Sequence, residues 1–158
     1  MKDNGKIDVG KEAKISNVLL VEDSAGDVRL TQEAFRAANP SVDLHIANDG
    51  MEAMIFLRNQ NGHANSPRPH MILLDLNMPR MDGPQVLAEI KKDDKLKTIP
   101  IVILTASEAE ADVAKSDQLQ ANCYLTKPVP LDAFEELLKC LNEFWLTTVR
   151  LPQKRNVA

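Results

Sequence analysis

Cysteine is nearly missing from this chain: Cys123 and Cys140 are the only two among 158 residues. Two cysteines in a chain of this length do not make a disulfide framework, and free thiols in a reducing cytoplasm are the expectation. Long apolar runs are also missing. No stretch approaches the roughly 20 apolar residues that a membrane-spanning helix needs. The segment from Met1 to Lys14 is polar and has no apolar stretch of the secretory-signal kind. An excess of positive charge is absent as well. The formal net charge is −4, which argues against a basic face for direct nucleic-acid binding. What is present is ordinary globular composition, 44% hydrophobic and 27% charged, at a length that suits one domain with a full core.

Residues 1–16 lack periodicity and are expected to form an N-terminal tail. A regular alternation follows. Val18 to Val21 is a short, wholly apolar run, the mark of a strand covered on both faces. Val28, Thr31, Phe35 and Ala38 then share one helical stripe between Ser24 and Ala38. Val42 to Ala47 reads as a half-covered strand and Glu52 to Asn59 as a second helix. The stretch Asn61 to Pro69 is a loop. Met71 to Leu74 is a buried strand, and Pro84 suits the first turn of a helix carrying Val86, Leu87 and Ile90. Ile99 to Leu104 is a strand with Pro100 at its start. A weaker helix starts at Ser107 or Glu108 and runs to about Leu119. Asn122 to Leu125 is a fifth strand, and Leu131, Phe134, Leu137, Leu138, Leu141 and Trp145 stripe a last helix.

The pattern is strand–helix repeated five times. Parallel strands need crossovers, and right-handed crossovers place helices on both faces. The expected fold is α/β: one doubly wound (βα)5 domain over residues 17–146, with flavodoxin-like strand order 2-1-3-4-5. Residues 147–158 are left as a C-terminal tail, too few for an output module.

In such a sheet ligands bind beyond the carboxyl ends of the strands, at the switch between strands 1 and 3. Glu22 and Asp23 end strand 1, Asp75 ends strand 3, Thr105 ends strand 4 and Lys127 follows strand 5. Each has a bland reading. Glu22 and Asp23 suit helix caps, Asp75 a turn, Thr105 any strand end and Lys127 the solvated surface. Five such groups on one rim point instead to shared chemistry. Three neighbouring carboxylates repel unless positive charge holds them. Mg²⁺ prefers oxygen ligands, binds phosphoryl oxygens and would serve, with Mn²⁺ as the alternative. An Asp carboxylate is a competent nucleophile for phosphoryl transfer. That transfer needs mainly positioning and neutralised charge, which the ion and Lys127 would supply. Thr105 can then hydrogen-bond a phosphoryl oxygen.

VEDS at 21–24, LLDLNMPRMDG at 73–83, ILTAS at 103–107 and YLTKP at 124–128 resemble the response-regulator receiver domain of two-component signalling, in the right order over about residues 17–146. The resemblance implies that Asp75 is the phosphoacceptor. Asp23 and Asp75 would ligate the metal directly, Glu22 through a water, and Asn77 through its main-chain carbonyl. Thr105 would be the switch hydroxyl, Lys127 the phosphate-binding lysine and Tyr124 the aromatic that moves as Thr105 moves. A cis peptide between Lys127 and Pro128 is implied too. Pro79 and Gly83 would shape the loop after the acceptor, with Gly83 free to take a positive φ. None of the five key positions departs from the family pattern. The chain is thus expected to be a phosphoacceptor signalling protein, not an enzyme, catalysing only its own phosphorylation and dephosphorylation.

HANSPRP at 63–69, the run from Thr105 to Val129 and FWLTTVRLP at 144–152 further resemble stand-alone cyanobacterial phytochrome response regulators. That resemblance implies a light-regulated, phytochrome-like histidine kinase as partner and a cytoplasmic homodimer through the fourth helix, fifth strand and fifth helix. Phe144, Trp145 and Leu146 are the candidate dimer contacts, since one helical stripe cannot bury all three. The competing reading packs them on the helix's own core. The surface around Val28, Arg29, Thr31, Gln32 and Phe35 is where the family docks its kinase, although ordinary amphipathic patterning looks the same. His45 and His70 read as structural rather than metal-binding.

Two other classes remain open at this point. An aspartyl-phosphate phosphatase also uses a strand-end Asp, but a second Asp is typical where Asn77 stands, and no segment is long enough for a cap domain. A flavin-binding flavodoxin-like module would carry a Ser-, Thr- and Gly-rich phosphate loop, and the matching loop here is acidic.

Overall fold

The structure is a computed structural model and describes residues 16–59, 66–76, 78, 81–116, 121 and 123–144. Five strands and five helices alternate: β1 Asn17–Val21, α1 Ala25–Ala38, β2 Asp43–Ala47, α2 Gly50–Leu57, β3 Met71–Asp75, α3 Gly83–Lys92, β4 Ile101–Thr105, α4 Glu108–Ser116, β5 Cys123–Thr126 and α5 Leu131–Phe144. The strands form one parallel sheet in the order β2-β1-β3-β4-β5. This is the doubly wound arrangement that the alternation predicts.

The three middle strands read as continuous apolar runs because both their faces are covered. Val18–Val21, Met71–Asp75 and Ile101–Thr105 are buried throughout. Alternate side chains feed two cores. Leu19, Val21, Ile72, Leu74, Ile101 and Ile103 pack with residues of α2, α3 and α4 on one face. Val18, Leu20, Met71, Leu73, Val102 and Leu104 pack with Phe35 of α1 and Phe134 of α5 on the other. The Phe35 and Phe134 rings meet at 5.1 Å with a 54° tilt, a favourable aromatic geometry. β2 and β5 lie at the edges and are less covered.

Helix starts follow their caps. Ser24 caps α1 and accepts from the Asp27 N–H at 3.3 Å, so neither Glu22 nor Asp23 is the cap of that helix. α2 starts at Gly50, two residues before the expected Glu52. Asp49 caps it, accepting from the Glu52 N–H at 2.9 Å, and Glu52 accepts from the Asn48 N–H at 2.7 Å. It ends at Leu57 because Asn59 takes a left-handed φ of 56°, the usual way to stop a helix. At α3, Asp82 and Gln85 form a reciprocal capping box with bonds of 3.0 and 2.9 Å. α4 ends at Ser116, and the expected continuation to Leu119 lies outside the described residues.

One expectation is corrected. No described glycine has a positive φ, so Gly83 does not serve the loop through a left-handed conformation. It is the first residue of α3, and a Cβ there would lie 2.8 Å from the Asp75 carbonyl oxygen and from Leu76 Cα and O. The position demands glycine for space, with its N–H donating to the Leu76 carbonyl at 3.1 Å.

Candidate functional site

The sheet's hydrogen-bond ladder continues past the strand ends and fixes the residues there. The Glu22 N–H donates to the Ala47 carbonyl at 3.0 Å, the Leu76 N–H to the Leu104 carbonyl at 3.0 Å and the Lys127 N–H to the Thr105 carbonyl at 2.8 Å. These bonds set Glu22, Asp75, Thr105 and Lys127 on one rim. Glu22, Asp75 and Thr105 are buried, whereas Asp23 is exposed.

The carboxylates converge. One oxygen from each of Glu22, Asp23 and Asp75 lies within 4.8 Å of the other two. Lys127 reaches over them, with Nζ 3.1 Å from Glu22 Oε1 and 3.5 Å from Asp75 Oδ1. The shortest contact of that ammonium, 2.9 Å, is to Asp27 Oδ2 in the first turn of α1. Asp27 was absent from the residues picked out in the sequence. An acid in a first helical turn has an ordinary reason to be there, the helix dipole, and only the fold brings Lys127 above it. Burial works to lower the Lys127 pKa. The hydrogen bond to Asp27, the charge of Asp75 and the bonded, charged Glu22 outweigh it and hold that pKa well above the usual lysine value. These contacts favour the charged form of Lys127.

Three carboxylates contact the Lys127 ammonium and Asp23 joins the cluster, so among the described residues acidic groups outnumber the lysine. The pocket's donor set suits a hard divalent ion. Oxygens around Mg²⁺ at about 2.1 Å lie about 3 Å apart when adjacent and about 4.2 Å when opposite. One oxygen each from Asp23 and Asp75 lies within 4.8 Å of the other, close to that range, with Glu22 near enough to act through a water. Buried Glu22 and Asp75 would limit the screening of an ion there, while exposed Asp23 leaves the site partly open to water.

Thr105 Oγ lies 3.2 Å from the Ser107 carbonyl oxygen and 3.4 Å from that of Leu125. Its hydroxyl is thus engaged by main chain. Tyr124 is half-buried against the core beside α2, α3 and α4, and burial raises its phenol pKa. The Lys127–Pro128 peptide is cis, as the resemblance implies. His70 and His45 are structural, as expected. His70 Nδ1 accepts from the Ser16 and Asn17 N–H groups at 3.2 Å, and His45 Nε2 lies 3.1 Å from Asn17 Oδ1. Neither Cys123 nor Cys140 is in a disulfide. Asn77, Pro79, Trp145 and Leu146 lie outside the described residues, as does the Phe144 side chain. Among the described residues no helix is long and apolar enough to cross a membrane.

A parallel sheet of order 2-1-3-4-5 with an acidic cluster and a lysine at its carboxyl rim defines a receiver, and residues 18–139 match the response regulator receiver domain. The chain belongs to this family of two-component signalling proteins. It is 50% identical to the response regulator Rcp1 of Synechocystis, over 85% of this chain and 92% of that one. Among solved structures it resembles the phosphorylated cyanobacterial phytochrome response regulator RcpA, with 46% identity, a TM-score of 0.69, and 85% and 96% of the two chains covered. It resembles the Mn²⁺-bound form of Rcp1 at 48% identity and a TM-score of 0.67, with 84% and 96% covered. Receiver domains bind a divalent metal at their acidic pocket, and Glu22, Asp23 and Asp75 form that pocket here.

Proposed function

We propose that this protein is a stand-alone response regulator that takes a phosphoryl group from the phosphohistidine of a phytochrome-type kinase onto Asp75 and changes shape in response. One observation carries the proposal. Asp75 is the last residue of a central strand, 4% exposed, 3.5 Å from the Lys127 ammonium and grouped with Glu22 and Asp23. Similarity to Rcp1 and RcpA supports the phytochrome assignment.

Asp23 and Asp75 would hold Mg²⁺, or Mn²⁺ in its place, with Glu22 acting through a water and the Asn77 carbonyl as a further ligand. Bound there, the ion supplies positive charge that offsets the carboxylates and the phosphoryl oxygens. An Asp75 carboxylate oxygen forms the new bond to phosphorus as the P–N bond to the donor imidazole breaks. The imidazole leaves with that electron pair and picks up a proton. Lys127 stabilises the charge gathered on the phosphoryl oxygens. The Thr105 hydroxyl turns from the Ser107 and Leu125 carbonyls toward the acyl phosphate, and Tyr124 takes the space it leaves. The face built by α4, β5 and α5 then shifts its population between two states, and that face is the one assigned to a homodimer. A cytoplasmic location fits the two free cysteines.

The test is transfer of radiolabel from an autophosphorylated phytochrome-type kinase to the purified protein. Label should move to the wild type and not to Asp75→Asn. Equal labelling of Asp75→Asn would remove Asp75 from its role, and equal rates from an unrelated histidine kinase would remove the phytochrome assignment.

A further inference from the structure

The shortest contact of the Lys127 ammonium is to a residue that the phosphoryl chemistry above does not use. Asp27 Oδ2 lies 2.9 Å from Nζ, against 3.5 Å for Asp75 Oδ1. Asp27 is held in place from both sides of its peptide. Its N–H donates to Ser24 Oγ at 3.3 Å and its carbonyl accepts from Thr31 Oγ at 2.9 Å. The main chain of Asp27 is thus fixed on the first turn of α1, and its carboxylate reaches the Lys127 ammonium across the rim. A cleft of about 110 Å³, bounded in part by Asp27, Thr31, Lys127 and Phe134, opens beside the pair.

We propose that Asp27 is a positioning residue that holds the Lys127 ammonium in reserve, in competition with the phosphoryl group on Asp75. The inference rests on the reading of Lys127 as the phosphoryl-binding lysine. In the resting protein the ammonium is shared among Asp27, Glu22 and Asp75. A phosphoryl group at Asp75 adds oxygens with concentrated negative charge, and the ammonium moves to them. It must first give up Asp27, a charge-assisted hydrogen bond of the strong kind. Asp27 thus raises the threshold at which phosphorylation recruits the lysine.

The test is the affinity of the protein for beryllofluoride, a phosphoryl mimic that attaches to an aspartate, measured with Mg²⁺ by ¹⁹F NMR. Four proteins complete a double-mutant cycle: wild type, Asp27→Asn, Lys127→Ala and the double variant. Asp27→Asn should bind the mimic about tenfold more tightly than wild type, the scale of one charge-assisted hydrogen bond. In the Lys127→Ala background the same substitution should have little effect, because there is no ammonium to release. Asp27→Glu should return the affinity toward that of the wild type. Weaker or unchanged binding by Asp27→Asn overturns the proposal. So does an equal gain in both backgrounds, which would mean simple through-space repulsion. Failure of the underlying reading looks different: Lys127→Ala alone would then bind the mimic as well as the wild type does.

Discussion

Gly83 lies directly behind Asp75: a Cβ at position 83 would come within 2.8 Å of the Asp75 carbonyl oxygen. Three backbone atoms crowd that point, two of them in Leu76, and backbone cannot move aside as a flexible side chain can. Gly83→Ala must therefore push the start of α3 away from the end of β3. It should destabilise the protein by about 1–3 kcal/mol, the usual cost of an added methyl in a packed site. It should also slow phosphoryl loading, since the acceptor's own main chain is displaced. Urea unfolding and the loading rate check both effects, and a wild-type midpoint would contradict the close approach.

Among the described residues, Lys127 is the cation in contact with the pocket's carboxylates. Replacing it with Met should cost about 1–3 kcal/mol in chelator, less than a fully buried pair because the site is partly open to water. Millimolar Mg²⁺ should restore more stability to the variant than to the wild type, since the ion then carries the whole neutralising charge. The sign with pH is set by the raised pKa. Lysine's stabilising share is fully present below its ordinary 10.5 and is lost only as pH rises through the higher folded value. The gap between the two proteins should therefore stay constant from about pH 6 to 9. Melting curves across that range measure it. A gap that ignores Mg²⁺ would mean that the ion does not enter this pocket.

Thr105 and Tyr124 form the proposed link from phosphoryl group to surface. Thr105→Ala removes a buried hydroxyl that two carbonyls share. The expected cost is about 1 kcal/mol. Loading of Asp75 should persist, but the response of Tyr124 should vanish. Fluorine-labelled tyrosine, followed with and without beryllofluoride, reports this directly. A wild-type shift in Thr105→Ala would break the link.

At the opposite end of the sheet, His70 accepts two main-chain N–H groups at the start of β1. Burial first, and Arg68 second, lower its pKa from 6.5. The fold therefore favours the neutral ring. The stability from this group is present above 6.5 and is lost as pH falls from there through the depressed folded value. Protonating Nδ1 removes the acceptor, at a cost of about 1 kcal/mol. His70→Asn, which keeps an acceptor, should lose less stability than the wild type between about pH 7 and pH 5. Parallel losses would remove His70 as the cause.

Much of this molecule can be read in the chain because fully covered strands are written as unbroken apolar runs. Val18–Val21 and Met71–Leu74 announce themselves, and their ends locate Glu22, Asp23 and Asp75 on one rim. Helix starts set by capping are less visible. Asp49 with Glu52 is a legible cap pair, but Ala53 is the first buried apolar side chain of that helix and Met51 before it is exposed, so the apolar stripe starts after Gly50. Gly83 was legible as a special position and not as a steric one, because closeness to Asp75 is a property of the packed chain. Asp27 was hidden for the same kind of reason. Its partner Lys127 is far along the sequence, and only the parallel order of β1, β3, β4 and β5 carries that lysine back across the rim.

The central claim is that Asp75 receives phosphorus with the help of a divalent ion. The most direct measurement is intact-mass spectrometry after incubation with acetyl phosphate, with Mg²⁺ or with chelator, followed by peptide mapping. The account predicts a gain of one phosphate, only with Mg²⁺, in the peptide containing Asp75, and none in Asp75→Asn. Loading that survives the chelator, or a label on any other peptide, would contradict it.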